Sequence, residues 1–392
     1  MTEAIVCGAG PAGLAAAACL KRAGIPVTVM ERGESVGTSW RRRYDGLRLN
    51  TPGWMSTLPG YRVSRRRYGE FPARDDWVRY LEDYARHHGL DIRFGSEVDR
   101  VERSDGGWCV ETPAGAHEGR FAVMATGFDH EPKIPDWPGR DAFEGTLLHA
   151  AEYRNAEPFL GQDVLVVGPG NTGSEIAAFL VDGGAARVRA SMRTPPNIFT
   201  RKWLGMPMTL SALAVDNAPP RVADAMGRLT QRMIFGDLSK HGLPFPPLGV
   251  RRSVEERHIA PVIDAGFVKA VKQRRIELLP EIERFEGRDV VLVNGDRLQP
   301  DAVICATGYR RGLERMVGHL GVVDDRGLPR GAPTIEVASA PNLFFVGYWS
   351  KVSGQIRQMR FEARRIARTA KHRTRESSAR DRPEAATASV TG

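Results

Sequence analysis

Two glycine-rich runs have the residue types and spacing needed to bind nucleotide phosphates. The first, G-A-G-P-A-G, follows a short apolar run and precedes an alanine-rich segment. In a strand-turn-helix unit the first glycine permits the turn, the second admits a pyrophosphate close to the backbone, and the third lets helix and strand pack. The helix N-terminus adds unpaired N–H groups and partial positive charge. We therefore predict dinucleotide binding by Gly8, Gly10, Pro11, Ala12 and Gly13.

An acidic residue ends the next predicted strand. Glu31 follows the run Val27–Met30 and lies eighteen positions after Gly13 (31 − 13). A carboxylate at this place is expected to bind the adenosine ribose hydroxyls. The predicted first site therefore includes Glu31 and its neighbour Arg32.

The second run, G-P-G-N-T-G, repeats the arrangement. It lies between a predicted strand over Asp163–Val167 and a predicted helix over 174–181. Two such units, each between a predicted strand and a predicted helix, are much stronger evidence of nucleotide binding than one, because a lone glycine fingerprint often arises by chance. The residues predicted to bind the second nucleotide are Gly168, Gly170, Asn171, Thr172 and Gly173.

The residue after the next predicted strand selects between two nicotinamide cofactors. The strand over 187–192 has no terminal acid, and Arg193 lies twenty positions after Gly173 (193 − 173). A guanidinium fits a 2′-phosphate there, whereas a carboxylate would repel it. We therefore predict NADPH rather than NADH, with Ser191 and Arg193 in the site; the alternative is that Arg193 is one more surface arginine.

The stretch F-E-G-T-L-L-H-A-A-E-Y fixes Phe143, Gly145, His149 and Tyr153 at set spacing between the two runs. With 15 Phe, 42 Gly, 9 His and 8 Tyr in 392 residues, a random chain would show this pattern with a probability of about one in a thousand. It resembles the signature of class B flavin-dependent monooxygenases, in which it joins the FAD and NADPH domains. The plain alternative is a connecting loop.

This resemblance covers residues 1 to 370, and it is greatest toward the YUCCA-type enzymes, which convert indole-3-pyruvate to the auxin indole-3-acetate. It rests on further stretches such as W-R-R-R-Y-D-G-L-R-L-N-T-P and I-F-G-D-L-S-K-H-G-L. Where the signature ends in Tyr153, Baeyer-Villiger enzymes usually have Trp. The resemblance implies FAD and NADPH as cofactors, O2 and a small organic molecule as substrates, and chemistry through a C4a-(hydro)peroxyflavin. N- or S-oxygenation and Baeyer-Villiger insertion stay open, as does an NADPH oxidase or pyridine-nucleotide reductase.

The resemblance also implies roles for individual residues. Asn50 and His149 become the catalytic candidates, Asn50 beside the isoalloxazine and His149 in the domain linker. The helix from Gln355 is expected to direct its N-terminus at the flavin pyrimidine, where negative charge develops on reduction. The remaining predicted cofactor contacts lie along the flavin, in two A-T-G turns and near the last helix: Gly37, Trp40, Arg41, Val98, Ala125, Thr126, Gly127, Ala306, Thr307, Gly308, Tyr309, Gly347, Gly354 and Gln355.

Charge and cysteine content limit the other classes. The formal net charge is +9, from 56 Lys and Arg against 47 Asp and Glu, which favours an anionic partner. Without a helix-turn-helix, zinc-finger or aromatic-basic motif we predict no nucleic acid partner. A disulfide reductase needs a redox cysteine pair, and the four cysteines form no C-x-x-C. With no apolar run of ~20 residues and no room for a signal peptide, we expect a cytoplasmic protein without a transmembrane segment; a homodimer stays open.

The fold class expected is α/β, with two Rossmann-like dinucleotide-binding domains and the NADPH domain inserted into the FAD domain. The expected boundaries are 1–150 and 301–371 for the two parts of the FAD domain, 151–300 for the NADPH domain, and 372–392 for a disordered tail. Residues 195–250 are proline-rich and apolar, and we predict helices over 208–215 and 220–235. This segment is expected to be a lid over the flavin, with a dimer contact or a membrane-surface contact as alternatives.

Overall fold

The structure is a computed structural model that describes residues 3–331 and 334–380. Its strands are β1 Ala4–Cys7, β2 Val27–Met30, β3 Asp91–Arg93, β4 Arg100–Ser104, β5 Gly107–Thr112, β6 Gly115–Gly119, β7 Phe121–Met124, β8 Glu131–Pro132, β9 Thr146–His149, β10 Asp163–Val167, β11 Arg187–Ser191, β12 Ile198–Thr200, β13 Lys202–Trp203, β14 Met206–Pro207, β15 Val262–Asp264, β16 Ile276–Leu279, β17 Ile282–Glu286, β18 Asp289–Leu292, β19 Arg297–Leu298, β20 Ala302–Cys305, β21 Tyr309–Arg310 and β22 Leu343–Phe345. Its α-helices are α1 Pro11–Arg22, α2 Thr38–Arg41, α3 Arg65–Tyr68, α4 Arg74–His88, α5 Asn171–Asp182, α6 Thr209–Asn217, α7 Pro220–Phe235, α8 Val250–Arg257, α9 Phe267–Lys272, α10 Leu313–Val317 and α11 Gln355–Arg380.

The first unit is a parallel sheet in the order β22-β7-β1-β2-β3. Strands β1 and β7 are buried along their whole length, as expected for parallel strands covered on both faces. Helices α1 and α11 pack together on one face, and the antiparallel sheet β4-β5-β6 lies on the other. The glycine turn therefore follows the central strand of the sheet.

The second unit is also a parallel sheet, in the order β16-β11-β10-β20-β9. Helices α5 and α9 cover one face, while the antiparallel strands β17 and β18 cover the other through Ile282, Phe285 and Leu292. Because β22 and α11 return to the first unit after β20, the second unit is inserted into the first. The predicted fold class is confirmed.

The limits of the second unit differ from those expected at 150 and 300. Strand β9, which contains His149, pairs with β20, and β20 pairs with β10. Both strands therefore belong to the second sheet, which extends from 146 to 305. Strand partners are chosen by contacts distant in sequence, so a local apolar run does not reveal which sheet it joins.

The segment 195–250 contains the two expected helices, α6 and α7, together with the hairpin β13-β14. Asp216 accepts hydrogen bonds from the backbone N–H groups of Val352 at 3.0 Å and Ser353 at 3.2 Å. These contacts attach α6 to the loop that precedes α11.

Val98, a predicted cofactor contact, lies in the connection before β4, which begins at Arg100. The tail expected to be disordered from 372 is helical through Arg380. Arg373 pairs with Glu336 at 2.5 Å and donates to the Asn342 side-chain oxygen at 2.8 Å, and these contacts hold the extra turns against the first unit. Residues 381–392 lie outside the described residues.

Candidate functional site

A cavity of about 450 Å³ lies where the two units meet. The N-terminus of α1 opens onto it through Gly10, Pro11 and Ala12. A Cβ added at Gly8 would lie 2.6 Å from the Ala125 carbonyl oxygen, and one at Gly13 would lie 1.8 Å from the Gly8 oxygen, whereas one at Gly10 would meet nothing within 4 Å. The outer glycines are therefore required for packing, and the middle glycine leaves a cradle open to a ligand.

The second glycine run has the same geometry. A Cβ at Gly168 would lie 2.8 Å from the Ala306 oxygen, one at Gly173 would lie 2.3 Å from the Gly168 oxygen, and one at Gly170 would meet nothing within 4 Å. Asn171 and Thr172, at the N-terminus of α5, line the same cavity as α1. Neither helix has a side-chain cap at its N-terminus, so the N–H groups of both remain available to phosphates. The two cradles fit two dinucleotides whose reactive ends meet in one cavity.

Glu31 is held rigidly at the edge of this cavity. Its carboxylate accepts the backbone N–H groups of Ala9 at 2.7 Å and Gly33 at 2.9 Å, and only 7% of the residue is exposed. Arg32 lines the cavity beside it. This placement fits the ribose contact expected from the sequence.

Asn50 connects the first unit to the second glycine motif. Its amide donates to the Asn171 side-chain oxygen at 3.1 Å, and its own oxygen accepts from the Arg201 guanidinium at 3.3 Å. The same guanidinium nitrogen donates to Glu175 at 3.0 Å, and the Tyr44 hydroxyl donates to the other oxygen of Glu175 at 2.7 Å. Burial raises the pKa of Glu175, while the Tyr44 hydrogen bond and the Arg201 charge act in the opposite direction. A polar network therefore fixes Asn50 at the cavity wall.

His149 lies outside the cavity and is 2% exposed. Its Nδ1 accepts the Ala151 N–H at 3.1 Å, which leaves Nε2 to donate to the Gly308 carbonyl at 3.0 Å. Its ring meets Tyr309 edge to face, with centroids 4.9 Å apart. Both ring nitrogens bond to the backbone, so His149 holds the second A-T-G turn in place. A catalytic role for His149 stays a prediction of the sequence.

The predicted site residues divide into two groups. Those that line the cavity are Gly8, Gly10, Pro11, Ala12, Glu31, Arg32, Trp40, Asn50, Val98, Ala125, Thr126, Gly127, Asn171, Thr172, Gly354 and Gln355. Those outside its lining are Gly13, Gly37, Arg41, His149, Gly168, Gly170, Gly173, Ser191, Arg193, Ala306, Thr307, Gly308, Tyr309 and Gly347. The second group contains residues that pack the motifs and residues that belong to the second unit.

The second A-T-G turn follows β20 in the second unit, and its contact with a cofactor stays a prediction. Ala306 follows β20 and packs against Gly168, just as Ala125 packs against Gly8 in the first unit. The two turns are equivalent in their own sheets, and each supports its own glycine motif. Local sequence does not distinguish them because both follow a buried strand.

Arg193 is exposed, and among the residues that the structure describes it forms no ion pair. It lies two positions beyond β11, while Ser191 ends that strand, 1% exposed, and donates to the Pro280 carbonyl at 2.7 Å. A free guanidinium near the carboxyl ends of the parallel strands fits a ligand phosphate. Ser191 positions the strand end.

Arg41 lies outside the cavity lining and pairs with Glu82, and its contact with a flavin stays a prediction. Arg43, two positions later, lines the cavity, pairs with Asp129 and donates to the Tyr309 hydroxyl at 3.0 Å. The run of three arginines gave no local signal for choosing between them.

The N-terminus of α11 reaches the cavity through Gly354 and Gln355, as expected. Gly347 lies behind this end: its N–H donates to Glu362 at 2.8 Å and its carbonyl accepts from Gln355 at 2.7 Å. A Cβ at Gly347 would lie 2.9 Å from that of Ala12. Gly347 therefore lets α11 approach α1 closely.

The four cysteines are free and lie on four different elements, β1, α1, β5 and β20. Burial raises the pKa of Cys7 and of Cys305 to about 12, and that of Cys19 to about 11. A thiol disulfide exchange centre needs a reactive thiolate with a partner nearby. None of these thiols has that environment.

Comparison with known proteins identifies the family. Residues 5–203 match the family model described as pyridine nucleotide-disulphide oxidoreductase. The chain is 34% identical over 312 residues to the indole-3-pyruvate monooxygenase YUCCA1 of Oryza sativa subsp. japonica, covering 78% of this chain and 76% of that one. The chain belongs to the class B flavin-dependent monooxygenases. This confirms the family predicted from the linker signature.

Another relative and two solved structures are similar to most of the monooxygenase. A probable indole-3-pyruvate monooxygenase of Arabidopsis thaliana, YUCCA9, is 32% identical over 338 residues, covering 83% of this chain and 79% of that one. Among solved structures, the flavin-containing monooxygenase from Stenotrophomonas maltophilia matches with a TM-score of 0.71 at 22% identity, covering 95% of this chain and 98% of that one. The complex of OTEMO with FAD and NADP matches with a TM-score of 0.73 at 17% identity, over 96% and 85%. At these identities the structures show the shared fold.

Within residues 3–331 and 334–380, no helix of the monooxygenase is both long and apolar enough to cross a membrane.

Proposed function

We propose that this monooxygenase uses FAD, NADPH and O2 to oxygenate an apolar 2-oxo acid of the indole-3-pyruvate type. The observation that supports it best is the single cavity onto which the N-termini of α1 and α5 both open. A flavin held by the first cradle and a nicotinamide held by the second would meet there. The relatives named as indole-3-pyruvate monooxygenases give the substrate class.

The residues of this chain have binding and positioning duties in the proposed reaction. Glu31 would hold the ribose of FAD, the N-terminus of α1 its pyrophosphate, and the N-terminus of α11 would face its ring system. Arg193 would bind the 2′-phosphate of NADPH, and Asn50 would lie where the two cofactors meet. The cofactors would supply the hydride transfer and the activation of O2, chemistry that no side chain supplies.

The segment 195–250 acts as the lid in this proposal. Thr209 of α6 lines the cavity, and Asp216 attaches the same helix to the loop before α11. Closing this side would keep water from the cofactor and the substrate, which would limit the release of hydrogen peroxide.

The proposed reaction is balanced as follows: a 2-oxo acid, O2, NADPH and a proton give the acid one carbon shorter, CO2, NADP⁺ and water. One oxygen atom enters the product carboxylate and the other leaves as water. The bond between the keto carbon and the carboxylate breaks.

The test is to incubate the purified FAD-loaded enzyme with NADPH, O2 and indole-3-pyruvate, and to measure CO2, indole-3-acetate and hydrogen peroxide. One CO2 per NADPH supports the proposal if the ratio is unchanged when catalase removes free peroxide. Oxygenation of a thioether, an amine or a cyclic ketone in place of the 2-oxo acid would assign N- or S-oxygenation or Baeyer-Villiger insertion, and peroxide alone would assign an NADPH oxidase. A homodimer and a cytoplasmic location stay predictions of the sequence.

A further inference from the structure

A second, smaller cavity of about 70 Å³ adjoins the main one. The two share five wall residues: Asn50, Thr209, Pro261, Ile263 and Val352. The volume is several times what one water needs, and far too small for a dinucleotide. It suits the head group of a small substrate.

Most of its wall is apolar, formed by side chains such as Phe199, Met208, Val215 and Val250. Phe199, Val215 and Val250 belong to one buried cluster, against which Met208 packs. A polar group inside such a wall is costly unless it has a partner.

Two polar groups of the wall lack a hydrogen-bond partner. Among the residues that the structure describes, the Arg201 Nε and the Thr209 hydroxyl are buried side-chain atoms without a hydrogen-bond partner, and Thr209 is 8% exposed. The N–H of Met208 donates to the Arg201 carbonyl at 3.0 Å, which closes the hairpin β13-β14 and brings Thr209 close to Arg201. A donor on a cation and a hydroxyl on the wall of one cavity complement a carboxylate.

We propose that Arg201 and Thr209 bind the substrate carboxylate, with the apolar wall around it and the reacting carbon toward Asn50. The choice of a 2-oxo acid rests on the proposed function. The inference adds the residues that make the enzyme select an acid over a neutral compound of the same shape. Arg201 and Thr209 are therefore specificity determinants.

Glu175 is the group that opposes a second carboxylate here, because it already pairs with the Arg201 Nη2. That pairing leaves the Nε edge of the guanidinium free. Glu175→Gln removes this negative charge and should therefore keep or tighten the binding of an acid.

The test measures binding of two unreactive probes, indole-3-propionate and indole-3-propionamide, to the FAD-loaded enzyme by calorimetric titration. The acid has the chain length of indole-3-pyruvate, and the amide has the same shape without charge. We expect wild type to prefer the acid, and Arg201→Gln to lower the affinity for the acid about ten- to a hundredfold while leaving the amide nearly unchanged. Thr209→Val should lower the affinity for the acid about threefold to tenfold, and Thr209→Ser should restore it.

Two controls separate binding from folding. Lys202→Gln removes the adjacent cation, which pairs with Glu70 at 2.7 Å outside the cavity, and should keep the preference for the acid. Because Arg201→Gln leaves Glu175 buried without its cation, the double variant Glu175→Gln with Arg201→Gln restores a neutral pair. It should fold like wild type and still lack the preference for the acid.

Equal binding of acid and amide by wild type, or an undiminished preference in Arg201→Gln, would overturn the inference. The probes require neither NADPH nor O2, so the two proposals fail separately. If the acid binds through Arg201 but indole-3-pyruvate is not oxygenated, the proposed function is wrong. If kcat/KM for indole-3-pyruvate is unchanged in Arg201→Gln, the carboxylate subsite is wrong and the function stands.

Discussion

The Asn50 amide donates a hydrogen bond to the side-chain oxygen of Asn171 at 3.1 Å, and this bond joins the first unit to the second glycine motif at the cavity wall. Asn171 is the first residue of α5, and its amide also donates to the Pro261 carbonyl at 2.8 Å. Together with the bond between Tyr44 and Glu175 at 2.7 Å, this pair links the two units beside the cavity.

Asn50→Ala should therefore bind FAD normally but oxidise more NADPH without forming product. A neutral hydrogen bond contributes about 0.5–1.5 kcal/mol, so we expect the ratio of oxygenated product to hydrogen peroxide to fall roughly two- to tenfold. Asn155→Ala removes an exposed amide that donates to Asp45 at 3.0 Å, and should leave the ratio unchanged. Equal ratios in wild type and Asn50→Ala would show that this pair has no role in coupling.

Replacement by alanine should affect FAD binding at Gly10 and stability at Gly13. Gly10 has φ −81° and open space at the Cβ position, so Gly10→Ala should fold but place a methyl group in the phosphate cradle and weaken FAD binding by roughly tenfold or more. At Gly13 the methyl group would meet the Gly8 oxygen at 1.8 Å, so Gly13→Ala should lower the free energy of unfolding by about 1–3 kcal/mol. Urea unfolding and FAD titration of both variants measure this. If Gly10→Ala binds FAD like wild type, the pyrophosphate lies elsewhere.

Arg193→Ala should weaken the binding of NADPH and leave the binding of NADH unchanged. The charge-assisted contact with a 2′-phosphate contributes about 1.5–3 kcal/mol, or roughly ten- to a hundredfold in affinity. Arg187→Ala is the matched control, because Arg187 begins the strand that precedes Arg193 and pairs with Glu277 at 2.6 Å. Steady-state KM values for both cofactors decide; equal losses for NADPH and NADH would place the recognition of the phosphate on another residue.

His149 should make the fold sensitive to acid. Burial lowers its pKa, with the Gly308 carbonyl acting in the opposite direction, so the folded protein binds the proton less readily than the unfolded chain. This stability is present above the unfolded pKa of about 6.5 and is lost as pH falls through the lower folded value, at ~1.4 kcal/mol for each unit of lowering.

His149→Gln should consequently be less stable at pH 8 but lose less stability than wild type between pH 6.5 and 5. His241→Gln, which changes an exposed histidine, should follow the wild-type profile. If the free energy of unfolding in urea depends on pH in the same way for wild type and His149→Gln, the imidazole is not held neutral by hydrogen bonds at both nitrogens.

The sequence predicted those parts of the site that depend on local spacing. The strand-glycine-helix units are continuous in the chain, and the contacts of Gly8 and Gly13 follow from backbone geometry alone. The Tyr44–Glu175 bond, 131 residues apart in sequence, and the meeting of Asn50 with Arg201 could not be found this way. The same holds for β9 and β20, whose sheet is chosen by distant partners, and for the last turns of α11, which depend on Arg373 reaching Glu336.

Oxygenation of a 2-oxo acid by this enzyme is tested most directly by a single-turnover assay under ¹⁸O₂. The assay contains indole-3-pyruvate, NADPH and the FAD-loaded enzyme, with catalase to remove free peroxide, because hydrogen peroxide itself decarboxylates 2-oxo acids. We predict one labelled oxygen atom in each product carboxylate and one CO2 for each NADPH oxidised. NADPH oxidation with unlabelled or absent product under these conditions would contradict this prediction.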